Sequence, residues 1–217
     1  MEFKFWKERW DTGHIGFHDT APNRHLLRFA DHLESPNASG VLVPLCGKTV
    51  DLTWLSERFE HVVGVEFVET AVRDYFAERG ITPEALSVSG VPAFRSDGVT
   101  LLCSDFHAVT LAHTGPIQRV FDRASMIALP PETRPRYAAH LLSLMPPGGR
   151  ILLVTTTYDQ GLASGPPFSV PDDEVRAYYG ATCDVRVLAR ETSTERPAAV
   201  AAGGGQAMAT VWLITKH

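Results

Sequence analysis

The sequence predicts an α/β fold: a mostly parallel seven-stranded sheet with helices on both faces and an antiparallel C-terminal hairpin. Three observations support this. Short unbroken apolar runs, of which Val41-Leu42-Val43-Pro44-Leu45 is the first, have the composition of strands buried on both faces. Through residue 155 these runs alternate with stretches of helical spacing, the pattern of a parallel sheet crossed over by helices. The last two runs, 184–190 and 209–215, are joined too closely for a helical crossover, so they pair as a hairpin at the sheet's edge. No internal repeat is present. The 217 residues are expected to form one domain, with 1–35 as an N-terminal aromatic cover segment.

Residues 1–20 hold Phe3, Phe5, Trp6, Trp10 and Phe17, with His14 and His18 four apart. Trp6 and Trp10 share one face of a short helix, where they either close over a pocket or simply cover the core. The histidine spacing suits a metal on a helix, but Gly13 and Gly16 disfavour a helix there and no metal site is expected. A helix over 22–33 presents Leu26, Leu27, Phe29 and Leu33, and the loop 35–40 releases the chain into the first strand, 41–45. Behind a turn of Cys46, Gly47 and Lys48, a helix over 49–55 sets Val50, Leu52, Trp54 and Leu55 mainly along one side. The second strand, 61–66, ends in Glu66, and a helix over 69–79 stops at Gly80. Its charges Glu69, Arg73, Asp74 and Glu78 form a solvated face. Pro83, Gly90 and Pro92 make 81–96 irregular.

The third strand, 99–103, leads to Ser104-Asp105-Phe106, and the fourth, 118–123, ends with Asp122 and Arg123. A helix over 132–145 with Tyr137, Leu141, Leu142 and Leu144 is halted by Pro146-Pro147-Gly148-Gly149 before the fifth strand, 151–155. The loop 158–171 contains Gly161, Gly165, Pro166, Pro167, Phe168 and Pro171, a length and stiffness that suit a pocket wall. A short helix over 172–179 precedes the hairpin, and the Ala- and Gly-rich stretch 193–206 between the last two strands reads as a mobile loop.

The composition is that of an ordinary globular protein, 44% apolar and 21% charged. With 20 basic and 25 acidic side chains the formal net charge is −5, which argues against a general phosphate-backbone binder. No apolar run approaches the ~20 residues of a membrane span, and Met1-Glu2-Phe3-Lys4-Phe5-Trp6 begins neither a signal nor a transit peptide. A cytoplasmic protein with no nucleic-acid or membrane partner is expected. Cys46, Cys103 and Cys183 are too scattered for a disulfide framework or a C-x-x-C site. Cys103 and Cys183 read as packed thiols near strand ends. Cys46 sits on the turn, beside any ligand bound there, and nothing marks it as a nucleophile.

The first strand, turn and second strand together have the pattern of a nucleotide site. In an open α/β sheet, ligands bind outside the carboxyl ends of the strands, where a small residue lets backbone approach and an acid at the second strand's tip accepts from both ribose hydroxyls. Gly47 and Glu66, 19 residues apart, match those two positions. The turn has one glycine and lacks the G-x-G-x-x-G that seats a pyrophosphate, so a nucleoside without a diphosphate, such as S-adenosylmethionine, fits better than a nicotinamide dinucleotide. Asp105 is either a contact to an adenine edge or a local cap. Arg123 is either an anion or substrate contact or the partner of a structural ion pair with Asp122 or another acid.

Six stretches point further: Phe5-Trp6-Lys7-Glu8-Arg9-Trp10, Ile15-Gly16-Phe17-His18, Val43-Pro44-Leu45-Cys46-Gly47-Lys48, Val63-Gly64-Val65-Glu66, Phe121-Asp122-Arg123-Ala124 and Gly165-Pro166-Pro167-Phe168-Ser169-Val170. In these the chain resembles the thiopurine S-methyltransferase family in its shorter bacterial form. The resemblance implies a Rossmann-like class I S-adenosylmethionine-dependent methyltransferase acting on the sulfur of thiopurines and related aromatic or heterocyclic thiols; separately, a monomer is expected. It implies cofactor contacts from Trp10, Leu45, Glu66 and Arg123, beside the turn glycine Gly47 already placed at the ligand, with backbone around Asp105 and Phe106 holding the adenine. Trp6, Phe17, Pro166 and Phe168 would line the acceptor side, with Arg119 a weaker candidate beside Arg123, whose charge would stabilise the acceptor. Selenium or tellurium compounds or another small nucleophile as acceptor, and a cofactor-binding module without turnover, are the alternatives. The sequence departs from the family mainly after Ser193.

Overall fold

The computed structural model describes residues 3–16, 18–34, 40–193 and 197–217. They group into two compact units, Glu2–Phe121 and Asp122–His217.

The first unit opens with helix α1 (Phe3–Asp11) and, after an irregular stretch, α2 (Arg24–Phe29), which runs on into a 3-10 turn, Ala30–His32. The Asn23 side chain caps α2 by accepting from the His25 amide at 2.9 Å. Strand β1 (Gly40–Pro44) is followed by α3 (Asp51–Ser56), β2 (His61–Glu66) and α4 (Glu69–Ala77). Three more strands, β3 (Glu84–Val88), β4 (Val91–Ser96) and β5 (Val99–Cys103), precede the short helix α5 (Leu111–Thr114) and β6 (Arg119–Asp122), which runs to the unit boundary. Within this unit the strands lie in the order β3-β4-β5-β2-β1-β6. β5, β2, β1 and β6 are parallel, and β4 and β3 extend them antiparallel beyond β5. Val41, Leu42, Val62, Leu101, Leu102 and Val120 are buried almost completely. Each such side chain contributes ~1.5–3 kcal/mol of burial, and together they hold the strand tips in fixed register.

The β3–β4 hairpin corrects the expectation that 81–96 is irregular and raises the strand count, among the described residues, from seven to nine. Its turn is Ser89-Gly90, both at positive φ (49° and 91°), the conformation of a two-residue hairpin. Pro92 is tolerated because it lies one residue before the β4–β5 ladder begins at Ala93↔Leu102, so its missing N–H costs that ladder nothing.

The second unit contains α6 (Ser125–Ala128), α7 (Arg134–Ser143), β7 (Arg150–Thr157), α8 (Asp172–Tyr179), β8 (Cys183–Thr192), α9 (Ala198–Ala202) and β9 (Met208–Lys216). Its strands run β7-β9-β8, antiparallel throughout, with the expected C-terminal hairpin formed by β8 and β9. Helix α9 corrects the reading of 193–206 as a mobile loop: alanine is the strongest helix former, and the run ends at Gly203. Residues 194–196 of that stretch lie outside the described residues. Buried Arg134 donates through Nε to the Met126 and Leu129 carbonyls and through Nη1 to Glu174 at 2.7 Å, tying α6, α7 and α8 together.

Candidate active site

The tip of β1 is conformationally unusual. Leu45, directly after the strand, has φ +47°, a left-handed backbone that a leucine adopts only at a cost. Gly47, two residues on, has φ +52°. A Cβ on Gly47 would lie 2.8 Å from Trp10 Cζ2, so both the backbone conformation and the indole packed against it require glycine here. Trp10 reaches the turn from α1. It is buried, clusters with Val68 and Ala71, and Trp6, Ile15 and Phe67 pack against the same group. Trp10 thus sits over the glycine turn and the start of α4, with Trp6 packed against that cluster. Phe17 lies outside the described residues.

Glu66, at the tip of β2, is buried beneath this turn. One carboxylate oxygen accepts from the Gly47 amide at 3.0 Å and the other from the Val68 amide at 2.8 Å. Burial pushes its pKa up to about 7, although the amides of Val68, Gly47 and Phe67 pull it back. A carboxylate has about four acceptor sites. Backbone amides occupy up to three, so an acceptor site remains for a ribose hydroxyl, and the residues present fit a nucleoside cofactor.

Beside Glu66, residue Cys103 ends β5, and the Ser104 amide donates to the Glu66 carbonyl at 3.1 Å. The Asp105 carboxylate accepts from the His107 amide at 2.9 Å and caps the 3-10 turn Phe106–Ala108, which buries Phe106. One oxygen of the Asp105 carboxylate thus serves as a local cap, and the side chain is otherwise exposed. Cys46 is buried, and burial followed by the charge of Glu66 raises its thiol well above the ordinary range; Cys103 is raised to about 11, mainly by burial. Neither is a nucleophile at neutral pH.

Lys48 was not singled out from the sequence, yet it is buried within this cluster. Its Nζ pairs with Glu78, lies 4.0 Å from Asp74, and sits 5.9 Å from the centre of the Trp10 ring. Of the charges read as a solvated face, Asp74 and Glu78 keep that exposure and also serve as its counter-charges, while Glu69 and Arg73 pair with each other at the surface. The one available signal was the position of Lys48 immediately after the turn glycine.

Arg119 belongs elsewhere. It pairs with Val41 at the amino end of β1, four residues back from Leu45 and so about 13 Å away along the strand. Its Nε donates to the Leu33 carbonyl at 2.5 Å and Nη1 to the Gln118 carbonyl at 2.7 Å, a structural tie that corrects its place among the acceptor candidates.

The remaining candidates lie in the second unit. Arg123 follows β6 and is half-buried. Its neighbour Asp122, fully buried, accepts from the Ser125 amide at 3.1 Å and the Tyr137 hydroxyl at 2.7 Å; burial raises its pKa to about 6. The Gly165–Phe168 turn contains two cis peptide bonds, Gly165-Pro166 and Pro166-Pro167. The Phe168 amide donates to the Ile127 carbonyl at 2.6 Å, which binds this turn to α6, immediately downstream of Arg123. Among the described residues no group of acids, histidines and cysteines could hold a metal, and no helix is long and apolar enough to cross a membrane.

The sequence profile of the thiopurine S-methyltransferase (TPMT) family matches residues 1–217. The chain belongs to that family. A thiopurine S-methyltransferase of Pseudomonas paraeruginosa is 45% identical over 190 residues, covering 88% of this chain and 87% of its own. The protein of that name from Nitrosospira multiformis is 43% identical over 198 residues, covering 91% and 90%. In fold, the chain is similar to a SAM-dependent methyltransferase from Anabaena variabilis, with a TM-score of 0.67 at 12% identity over 99% of this chain and 94% of that one. It is also similar to the 1,6-didemethyltoxoflavin-N1-methyltransferase of Burkholderia thailandensis, solved with S-adenosylhomocysteine, with a TM-score of 0.64 at 16% identity over 98% and 87%. The architecture is that of a Rossmann-like class I methyltransferase.

Proposed function

We propose that the chain transfers a methyl group from S-adenosylmethionine to the sulfur of thiopurines and related aromatic or heterocyclic thiols. The observation that carries this reading is Glu66, buried at the tip of β2 with acceptor capacity to spare and fastened to the Gly47 turn beneath Trp10, in a member of this family. When bound, the cofactor supplies an electrophilic methyl group on a sulfonium centre. Glu66 holds its ribose, backbone at Asp105 and Phe106 its adenine, and Leu45 and Gly47 line the same seat. Trp10 offers an aromatic face suited to a cation and, with Trp6, excludes water.

A heterocyclic thiol is largely nucleophilic near neutral pH, so the chain's work is to align the reactants and keep the site dry rather than to remove a proton. We assign Arg123 to the cofactor and to anionic character on the acceptor, and Trp6, Phe17, Pro166 and Phe168 to the acceptor rings. The family match spans both units, which supports a single methyltransferase domain. We further propose that it acts as a cytoplasmic monomer whose partner is its small-molecule acceptor.

Purified protein, labelled S-adenosylmethionine and 6-mercaptopurine test the reading. Labelled S-methyl product, absent without acceptor, is expected. Labelled product from selenium or tellurium compounds alone would move the acceptor class, and failure to bind the cofactor would overturn the reading.

A further inference from the structure

Part of the Ala- and Gly-rich stretch before β9 is packed into the fold: Ala198–Ala202 form α9. Val200 of α9 is completely buried and forms a cluster with Tyr158 and Ala207, against which Ala163 packs. The cluster is tight: a Cβ on Gly205 would come within 2.9 Å of Val200 Cγ1 and 3.0 Å of Leu162 Cδ1. Tyr158 is the member of this cluster that reaches the Gly165–Phe168 turn. Its hydroxyl donates to the Pro167 carbonyl at 2.6 Å and accepts from Gln160 Nε2 at 3.1 Å. Its amide donates to Ser169 Oγ at 3.0 Å, and Gln160 Oε1 accepts from the Ser169 amide at 2.8 Å. The tyrosine ring thus belongs to the α9 cluster while its polar end holds the middle of the turn.

We infer that residues 197–207 are a specificity element: Val200 positions Tyr158, and Tyr158, through the Pro167 carbonyl, positions the Pro166–Phe168 wall that sizes the acceptor ring. The inference rests on the assignment of that wall to the acceptor side. Interiors are close-packed, so removing methyl groups from Val200, or forcing one in at Gly205, shifts the tyrosine rather than being absorbed silently. A shift at the wall alters the fit of a bicyclic acceptor more than that of a single ring. Trp10, Gly47 and Glu66 take no part in these contacts, so KM for the cofactor is the reference against which the shift is read.

Tyr158→Phe, Val200→Ala and Gly205→Ala test this, with Phe168→Ala as the probe of the wall itself. Steady-state KM and kcat are measured for 6-mercaptopurine and for thiophenol, together with KM for S-adenosylmethionine. Tyr158→Phe keeps the ring's volume and loses only the hydroxyl, so it stays informative if a core variant unfolds. The expected result is a roughly three- to tenfold rise in KM for the bicyclic acceptor relative to thiophenol, within the ~100-fold that a 1 Å misplacement can cost, with KM for the cofactor unchanged. If Phe168→Ala changes the acceptor ratio and Tyr158→Phe does not, the inference falls and the assignment of the wall stands. If Phe168→Ala leaves the ratio unchanged, the assignment fails and takes the inference with it.

Discussion

Cofactor binding should depend on pH through Glu66. Its carboxyl is held at about 7 against an ordinary value of 4.5, chiefly by burial. Ribose hydroxyls donate to the ionised form, so the cofactor must bind the minority species once the pH drops below about 7. Between pH 8 and pH 6 the ionised fraction falls about tenfold, so Kd should rise about tenfold, or ~1.4 kcal/mol. Nearly one proton should leave the protein on binding at pH 6. The same carboxyl acts on folding with the opposite preference. From pH 4.5 to 7 the folded chain binds its proton more tightly than the unfolded chain does. Its contribution to stability, on the order of 3 kcal/mol, is therefore present at low pH and lost as the pH rises through 7.

Calorimetric titration with S-adenosylhomocysteine at pH 6, 7 and 8, in two buffers of different ionisation enthalpy, measures both affinity and proton release. Asp122, raised to about 6, titrates nearby, so Glu66→Gln is the necessary control; it should bind more weakly and lose the pH dependence. A wild-type Kd that is flat from pH 8 to 6, or that runs parallel to the Glu66→Gln curve, would refute the ribose assignment.

Four further outcomes are expected. Gly47→Ala forces a Cβ to 2.8 Å from Trp10 and strains a backbone at φ +52°, so tryptophan fluorescence should shift, cofactor Kd should rise, and stability should fall by ~1–3 kcal/mol in denaturant melts. Arg119→Met removes charged donors from the Leu33 and Gln118 carbonyls and should cost ~1.5–3 kcal/mol of stability while kcat/KM stays within error of wild type. Arg123→Ala should do the reverse, lowering methyl transfer far more than the melting temperature; equal activity would remove Arg123 from the site. Arg134→Ala leaves Glu174 and two buried carbonyls without their donor and should destabilise by ~3–5 kcal/mol, read from the chemical denaturation midpoint.

The parts of the site that depend on local pattern were legible in the sequence. A both-sides-buried strand, one turn glycine and an acid at the next strand's tip are specified within 26 residues, Val41 to Glu66, and the structure brings Gly47 and Glu66 into direct contact. What escaped notice depended on tertiary context. Pro83, Gly90 and Pro92 carry the composition of a loop, yet Pro83 precedes β3, Gly90 forms the hairpin turn and Pro92 lies just before the pairing with β5. Arg119 and Arg123 are four residues apart, at the start of one strand and just beyond its end, and the parallel pairing Val41↔Arg119 puts Arg119 at the end away from the Gly47 turn. Glu78 has the spacing of a solvated helix face, and its buried partner Lys48 lies 30 positions earlier.

The same geometry explains how a nucleoside site is built here with a single turn glycine. A triple-glycine turn brings backbone close to a pyrophosphate by removing side chains from it. This chain needs no pyrophosphate seat. Leu45 takes a left-handed backbone at the strand's end, Gly47 takes another two residues on, and the space a side chain would fill is covered by Trp10 from α1. The strained turn is held from outside: the Glu66 carboxylate accepts from the Gly47 amide, and the next residue, Lys48, pairs with Glu78 just beyond α4. Under the proposed assignment one carboxylate does two jobs, fastening the turn and offering a remaining lone pair to a ribose. The site and the aromatic cover are in this way mechanically one object. A change at Glu66 should loosen Trp10 as well as the cofactor, and a change at Trp10 should be felt at the ribose.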